Sequence, residues 1–326
     1  MSSTDYLNNI SLYFSMYVGV FILVIGILGN IFNILVLLSL KIFRENSCAF
    51  YIKAMSCLNI GQLLASLLPR ILNLWFSIDW SVASLAYCKI RMYVFQVCTV
   101  TSFTCMCLAT IDQYLTTCSY PRLQRLSNIK FAYRCFTIVM LFWILHGILV
   151  LTYTNYVVLS PAGDYICGIS NKIYQNYNTY GFTLVLISSL PVLITVISGS
   201  LAYHNVTQLA YRAIPLVRRE LDKQLTVMVL VQVVFNFCVI VPYIIGYMIN
   251  LYANVSKDSY SYAQIQLLRS ITINTFYSYF ASSFYIFITV SERFRKQFIH
   301  VIFGMYIKRN RRRQRRMTIN PMAVIT

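Results

Sequence analysis

"LATIDQYLTTC", residues 108–118, closes an apolar run and sets Asp112, Gln113 and Tyr114 side by side where polar chain takes over. An acid beside a neutral amide at such a border raises the question of which border it is. Composition answers first. Hydrophobic residues make up 58% of the 326 and charged residues 11%, where a soluble domain carries about a quarter charged. Mean hydropathy is +0.65. A soluble chain this apolar would expose large sticky patches, so the border is that of a lipid bilayer.

Working outward from 108–118, seven runs are long enough to cross the hydrocarbon as helices, roughly 17–40, 48–72, 87–116, 132–155, 180–204, 224–251 and 265–290. About 20 apolar residues span it, and lipid offers the backbone no partners, so each run should be helical. The fold class is all-α: a seven-helix membrane bundle. Pro69, Pro191 and Pro242 fall inside runs two, five and six, where a bundle tolerates kinks that shape a cavity.

The net charge of +18 comes from 27 Lys and Arg against 9 Asp and Glu. It sits in short connections and the tail, which fits orientation in a bilayer and speaks against nucleic acid as a partner. Lys41, Arg44 and Lys53 mark the first connection; Arg122, Arg125, Lys130 and Arg134 the third; Arg212, Arg218, Arg219 and Lys223 the fifth; ten more lie after residue 290. Arg70, Lys89, Arg91, Lys172, Lys257 and Arg269 fall on or near the opposite side. The positive-inside rule then puts the N-terminus outside, the tail in the cytoplasm, and Asp112–Tyr114 at the cytoplasmic end of the third run. The start of the chain lacks a basic n-region, so the first run reads as an uncleaved anchor. Expected segments are an outer tail at 1–16, the bundle at 17–290, a short amphipathic helix at 291–303 and a basic cytoplasmic tail at 304–326. Asn9 and Asn254 begin Asn-x-Ser acceptors on the outer side.

Of ten cysteines, six lie inside runs as apolar filler, and Cys48 and Cys118 lie on the reducing side. Cys88 and Cys167 both fall outside, where a bridge would pin an outer loop over the bundle mouth. No spacing suggests a zinc site, and no cofactor is expected. His146, His204 and His300 are too dispersed for an enzyme's constellation.

Taken in order, these landmarks resemble the rhodopsin-like family of G-protein-coupled receptors over residues 15–300. Gly29-Asn30, Trp80 before Cys88, Trp143, Pro191, Pro242 and "SERFRKQF" (291–298) stand where the family has counterparts, and Asp112-Gln113-Tyr114 follows Cys88 at the family's acid–Arg–Tyr spacing. The resemblance implies a plasma-membrane receptor with a heterotrimeric G protein as partner and Asp112, Gln113, Tyr114, Asp222, Pro242, Ser283 and Tyr285 as coupling residues. Departures accompany it. Gln113 replaces an Arg that the family pairs with acids, so Gln113 is expected to hydrogen-bond Asp112 without charge, with Asp222 as the second acid. Elevated basal signalling and poor coupling both stay open. Gln62 stands for a sodium-binding Asp of span two, which predicts no sodium dependence. "VIVP" (239–242) lacks the usual Trp, with Phe235 or Phe237 as substitutes. "SFYIF" (283–287) replaces Asn-Pro-x-x-Tyr, with Tyr285 as the replacement hydroxyl.

Ligand class is weakly encoded. No Lys in 261–290 excludes a retinal Schiff base, and Phe95 stands where an amine receptor has its Asp. The outer half is basic and aromatic, with Arg70, Arg91, Phe95, Gln96, Arg269 and Phe276 as candidate contacts for an extracellular peptide. The competing account has the arginines reaching to lipid headgroups and the rings forming an interfacial belt. "IKRNRRRQRRM" (307–317) reads as an anchor to anionic membrane lipids. Alternatives are a non-coupling seven-span decoy or partner protein, favoured by Gln113, and a transporter, against which the lack of repeats counts.

Overall fold

The computed structural model describes residues 3–77, 79–158, 165–208, 216–253 and 260–304, with the side chains of 208–222 outside the description. Seven long helices cross in a bundle: α1 (Ser3–Ser39), α2 (Ser47–Phe76), α3 (Leu85–Thr117), α4 (Ile129–Tyr153), α5 (Lys172–Thr207), α6 (Leu216–Tyr252) and α7 (Tyr260–Val290). The final helix, α8, covers residues 292–304. All seven apolar runs are helical. The helices overrun the hydrophobic segments at several ends, and α1 begins at Ser3, so residues 3–16 continue its rod. Asn9 lies on that rod. Asn254 and the basic stretch 307–317 lie outside the described residues.

Six of the seven are long and apolar enough to cross a membrane on their own composition. The seventh, α7, is the exception because its polar groups face neighbouring helices: Ser270, Asn274 and Ser283 are all buried. α4 shows the opposite extreme. Ile138, Leu141, Phe142 and Leu145 are each more than half exposed, which suits a face that meets lipid.

Two of the three prolines within the runs follow widened turns, and Pro242 lies inside a continuous α6. Pro69 follows a wide π turn at Leu63–Leu67, and Pro191 follows a longer π segment at Tyr177–Ser189. Such turns take up backbone groups that a proline cannot satisfy. A two-stranded hairpin, β1 (Thr154–Val158) and β2 (Tyr165–Ile169), lies between α4 and α5. The Cys88–Cys167 disulfide ties β2 to the first turn of α3, with Cα atoms 5.8 Å apart. The outer cysteine pair is therefore bridged as anticipated.

At the opposite end Ser291 caps α8, its Oγ accepting from the Phe294 amide at 3.2 Å and donating to Gln224 Oε1 of α6 at 3.0 Å. Phe294 is fully buried, Phe298 packs on Phe32 and Phe284, and Gln297 Nε2 donates to Ser39 Oγ at 2.7 Å. Glu292, Arg295 and Lys296 stay in water. The Lys296 ammonium, 2.6 Å from Glu292, holds that carboxyl below its usual range.

α3 and α4 approach closely because Gly147 leaves room. A Cβ there would fall 2.6 Å from Tyr93 and 2.9 Å from Val97. Gly147→Val is expected to force these helices apart and lower stability by about 1–3 kcal/mol. Gly304→Ala, where a Cβ meets nothing within 4 Å, should cost nothing. Unfolding temperatures of the two purified variants check the contrast.

Candidate functional site

Three regions along the bundle carry the chemistry. At the disulfide end, Arg70 of α2, Arg91 of α3 and Arg269 of α7 line one open cleft of about 310 Å³, together with Asn73, Asp79 and Gln266. Asp79 is turned to the backbone: its Oδ1 caps the turn Trp80–Ala83, accepting from the Ser81 amide at 2.9 Å and from the Ser81 hydroxyl. The other three candidate contacts do not line this cleft. Phe276 is 4% exposed and stacks on Tyr243 at 4.3 Å within the core. Gln96 is buried, its Nε2 2.9 Å from His146 Nδ1, and His146 Nε2 lies 2.7 Å from the Tyr177 hydroxyl. Phe95 is half-buried. Gln96 thus joins α3 to α4 and, through His146, to α5.

Midway, a buried polar cluster ties four helices. Asn30 Nδ2 donates to the carbonyls of Gly26 and Phe280 at 2.7 Å each. Asn59 Nδ2 donates to Asn30 Oδ1 at 3.3 Å, and Ser102 Oγ donates to Asn59 Oδ1 at 2.5 Å. Asn33 Nδ2 donates to Ser283 Oγ at 2.9 Å and to Ser56 Oγ at 3.4 Å. The span-two residue in this cluster is Asn59, not Gln62. Gln62 lies three residues further on, fully buried, and its amide makes no hydrogen bond to a described residue. The two amides share one helix face, and the one level with Asn30 is the earlier. Both are neutral, so this cluster holds no carboxylate.

Above it, rings fill the centre. Phe103 stacks on Tyr279 at 4.3 Å and lies 6.3 Å from Phe276. Of the two rings expected to substitute for the span-six aromatic, Phe237 is 48% exposed and Phe235 only flanks the cluster. Pro242 lies inside a continuous α6.

At the end opposite the disulfide, Asp112 and Gln113 part company. Asp112 is 6% exposed and its Oδ1 accepts from Ser127 Oγ at 2.8 Å; Ser127 also meets Thr116 Oγ1 at 2.7 Å. The acid holds the connection between α3 and α4. Gln113, 1% exposed, instead turns to α6, its Oε1 accepting from Thr226 Oγ1 at 2.8 Å. Gln113 Nε2 makes no hydrogen bond to a described residue. The expected bond between Gln113 and Asp112 is replaced because α6 packs where Thr226 meets the Gln113 amide, while Asp112, about 100° around the helix, faces Ser127. Tyr114 is half-buried, and the side chain of Asp222 lies outside the described residues. Ser283 is buried on Asn33 as above. Tyr285 is not a replacement for the family's inward Tyr: its hydroxyl donates to the Ile25 carbonyl of α1 at 3.0 Å. Phe287 turns into the core against Phe294.

A family model described as 7 transmembrane receptor (rhodopsin family) matches residues 29–290, most of the chain. The chain belongs to the rhodopsin-like family of seven-transmembrane receptors. A search of curated proteins finds no match. Membership makes this a multi-pass membrane receptor and not an enzyme, with the seven helices as its transmembrane spans. Within that family, it is a receptor whose mid-bundle cluster and whose α3–α6 contact are both uncharged.

The cluster yields a test. The unfolding temperature of the purified receptor should not change when sodium replaces choline as the salt cation. Asn59→Asp, which sets one carboxylate beside Asn30 and Ser102, should make it rise with sodium.

Proposed function

We propose that this receptor takes an extracellular peptide at the disulfide end and activates a heterotrimeric G protein at the other. The observation that carries the reading is the contact between α3 and α6. A hydrogen bond between two neutral groups, Gln113 and Thr226, bridges the helices where opening would admit a partner. Such a bond contributes about 1 kcal/mol, small enough for ligand energy to overcome. Loss of the family's Arg at this place weakens the resting closure without removing it. Pro242 gives α6 a point about which to swing.

The peptide assignment is supported by the shape and lining of the outer cleft. It is edged by arginines, and at the same end the disulfide ties to α3 a β-hairpin whose backbone edge suits an extended chain. In this reading the N-terminus faces outward with glycan at Asn9 and Asn254, and the protein resides in the plasma membrane. The ten basic residues after position 290 face the cytoplasm and bind anionic lipid, at roughly 1 kcal/mol per base near the surface. Asp112 and Tyr114 border the G-protein site, Asp112 by fixing the loop through Ser127, with Asp222 on the facing helix.

A second reading, a seven-span partner that does not couple, is favoured by the same Gln113, because this position carries a neutral amide where the family has its Arg. Nucleotide exchange separates the two. With reconstituted receptor and a panel of purified heterotrimers, Thr226→Val should raise basal exchange about fivefold, the factor for losing ~1 kcal/mol. Gln113→Arg should change the rate relative to wild type. Silence from all three proteins with every heterotrimer would establish the non-coupling reading.

A further inference from the structure

Three arginines from three different helices, Arg70, Arg91 and Arg269, line the cleft at the disulfide end. None forms an ion pair with a described residue. Asp79 shares the lining, but its Oδ1 is engaged in capping the Trp80–Ala83 turn. Arg70 is the most constrained of the three. Its Nε is fully enclosed and makes no hydrogen bond to a described residue. An arginine held in that way is not extended toward lipid headgroups. It is fixed in a partly dry site with donors left over, and unpaired charge in such a place is unfavourable. Like charges on three walls add to that cost. An anion entering the cleft would relieve both.

We infer that the cleft is a carboxylate subsite, in which Arg70 and Arg269 grip the free C-terminal carboxylate of the peptide ligand while Arg91 adds charge at the rim. The inference rests on the peptide reading above and names the group by which the peptide is recognised. Planar guanidiniums match a planar carboxylate through paired parallel hydrogen bonds. Asn73 and Gln266, on the same lining, offer amide donors to the second oxygen or to the last peptide unit. The negative charge of Asp79 on the wall disfavours a dianion, so a carboxylate suits the site better than a phosphate. The cleft is near the lower end of the usual range for small-ligand pockets, about 300–1,000 Å³. That space suits one terminal residue of the peptide. A peptide amidated at its C-terminus would bring a neutral group and leave the arginines unpaired.

The test needs no known ligand and no G protein. Purified receptor in neutral detergent is heated with a pool of N-acetylated random tetrapeptides lacking Asp and Glu. The pool is made once as free acids and once as C-terminal amides. Inorganic phosphate is a third arm. The free-acid pool should raise the unfolding temperature, and the amide pool and phosphate should not. Arg70→Gln and Arg269→Gln should each raise the half-saturating concentration of the acid pool about 10- to 100-fold, the range for losing a charged hydrogen-bond partner. Arg70→Lys and Arg269→Lys keep the charge and lose the fork, and should give intermediate values. They also control for misfolding of the Gln variants. Equal shifts with acid and amide, no shift with either, an equal response to phosphate, or an acid preference that survives both Gln changes would each overturn the inference. Failure here leaves the peptide reading standing with recognition by other groups. Conversely, acid-selective binding in a receptor that no peptide activates would sink the peptide reading and leave the carboxylate subsite.

Discussion

A bilayer offers no hydrogen bonds, so polar side chains placed between these helices find partners within the bundle, on another helix or on a carbonyl of their own helix. That constraint governs the structure. Asn30 is its hub. It sits fully buried and bonds the Phe280 carbonyl of α7, while Asn59 of α2 reaches it and Ser102 of α3 reaches Asn59. Asn33 repeats the pattern one turn on, to Ser283 and Ser56. Each such bond between membrane helices contributes only about 0.6 kcal/mol. Their value lies as much in register, since sliding any one helix would strand several amides at once. The polarity of α7, which leaves it the least apolar of the seven, follows from its place in this network.

The same constraint explains where charge is absent and where it remains. The mid-bundle cluster and the Gln113–Thr226 contact are both built from neutral groups, which can be buried at a smaller cost than ions. A neutral closure is correspondingly weak. Charge is kept for the two ends. At the disulfide end three arginines surround a cleft, and at the other Arg293, Lys296 and His300 edge a second cleft between α6 and α8. Between the ends, the stack of Phe103, Tyr279, Phe276 and Tyr243 fills the core with close ring contacts.

Much of this was legible from residue order. Apolar run length placed every spanning helix, because the hydrocarbon sets that length for any sequence. The Cys88–Cys167 bridge was legible because the charge pattern assigns those two cysteines, and no others, to the outer side. Three arginines out of six ligand candidates were brought together, since their charge marked them as outer residues whatever way they point. What was not legible was rotation. Asn59 and Gln62 lie on the same face of α2, and composition does not say which is level with Asn30. The choice between Asp112 and Thr226 as the partner of Gln113 rests on the angle at which α6 packs against α3. Tyr285 reads as an inward hydroxyl by position, yet two residues on from Ser283 in a helix is a rotation of about 200°, and that carries it outward to α1. Partners contributed by another helix, such as His146 for Gln96 or Ser127 for Asp112, leave no mark in local sequence.

The account turns on α3 and α6 being held together by a neutral contact that a G protein can part. The direct measurement is a spin-label distance between Tyr120→Cys, exposed beyond the end of α3, and Val227→Cys on α6, with the exposed Cys57 and Cys238 changed to alanine. Addition of nucleotide-free heterotrimer from the panel should create a second, longer distance population for at least one G protein. A single unchanged distance with every heterotrimer, in wild-type and Thr226→Val backgrounds alike, would contradict it.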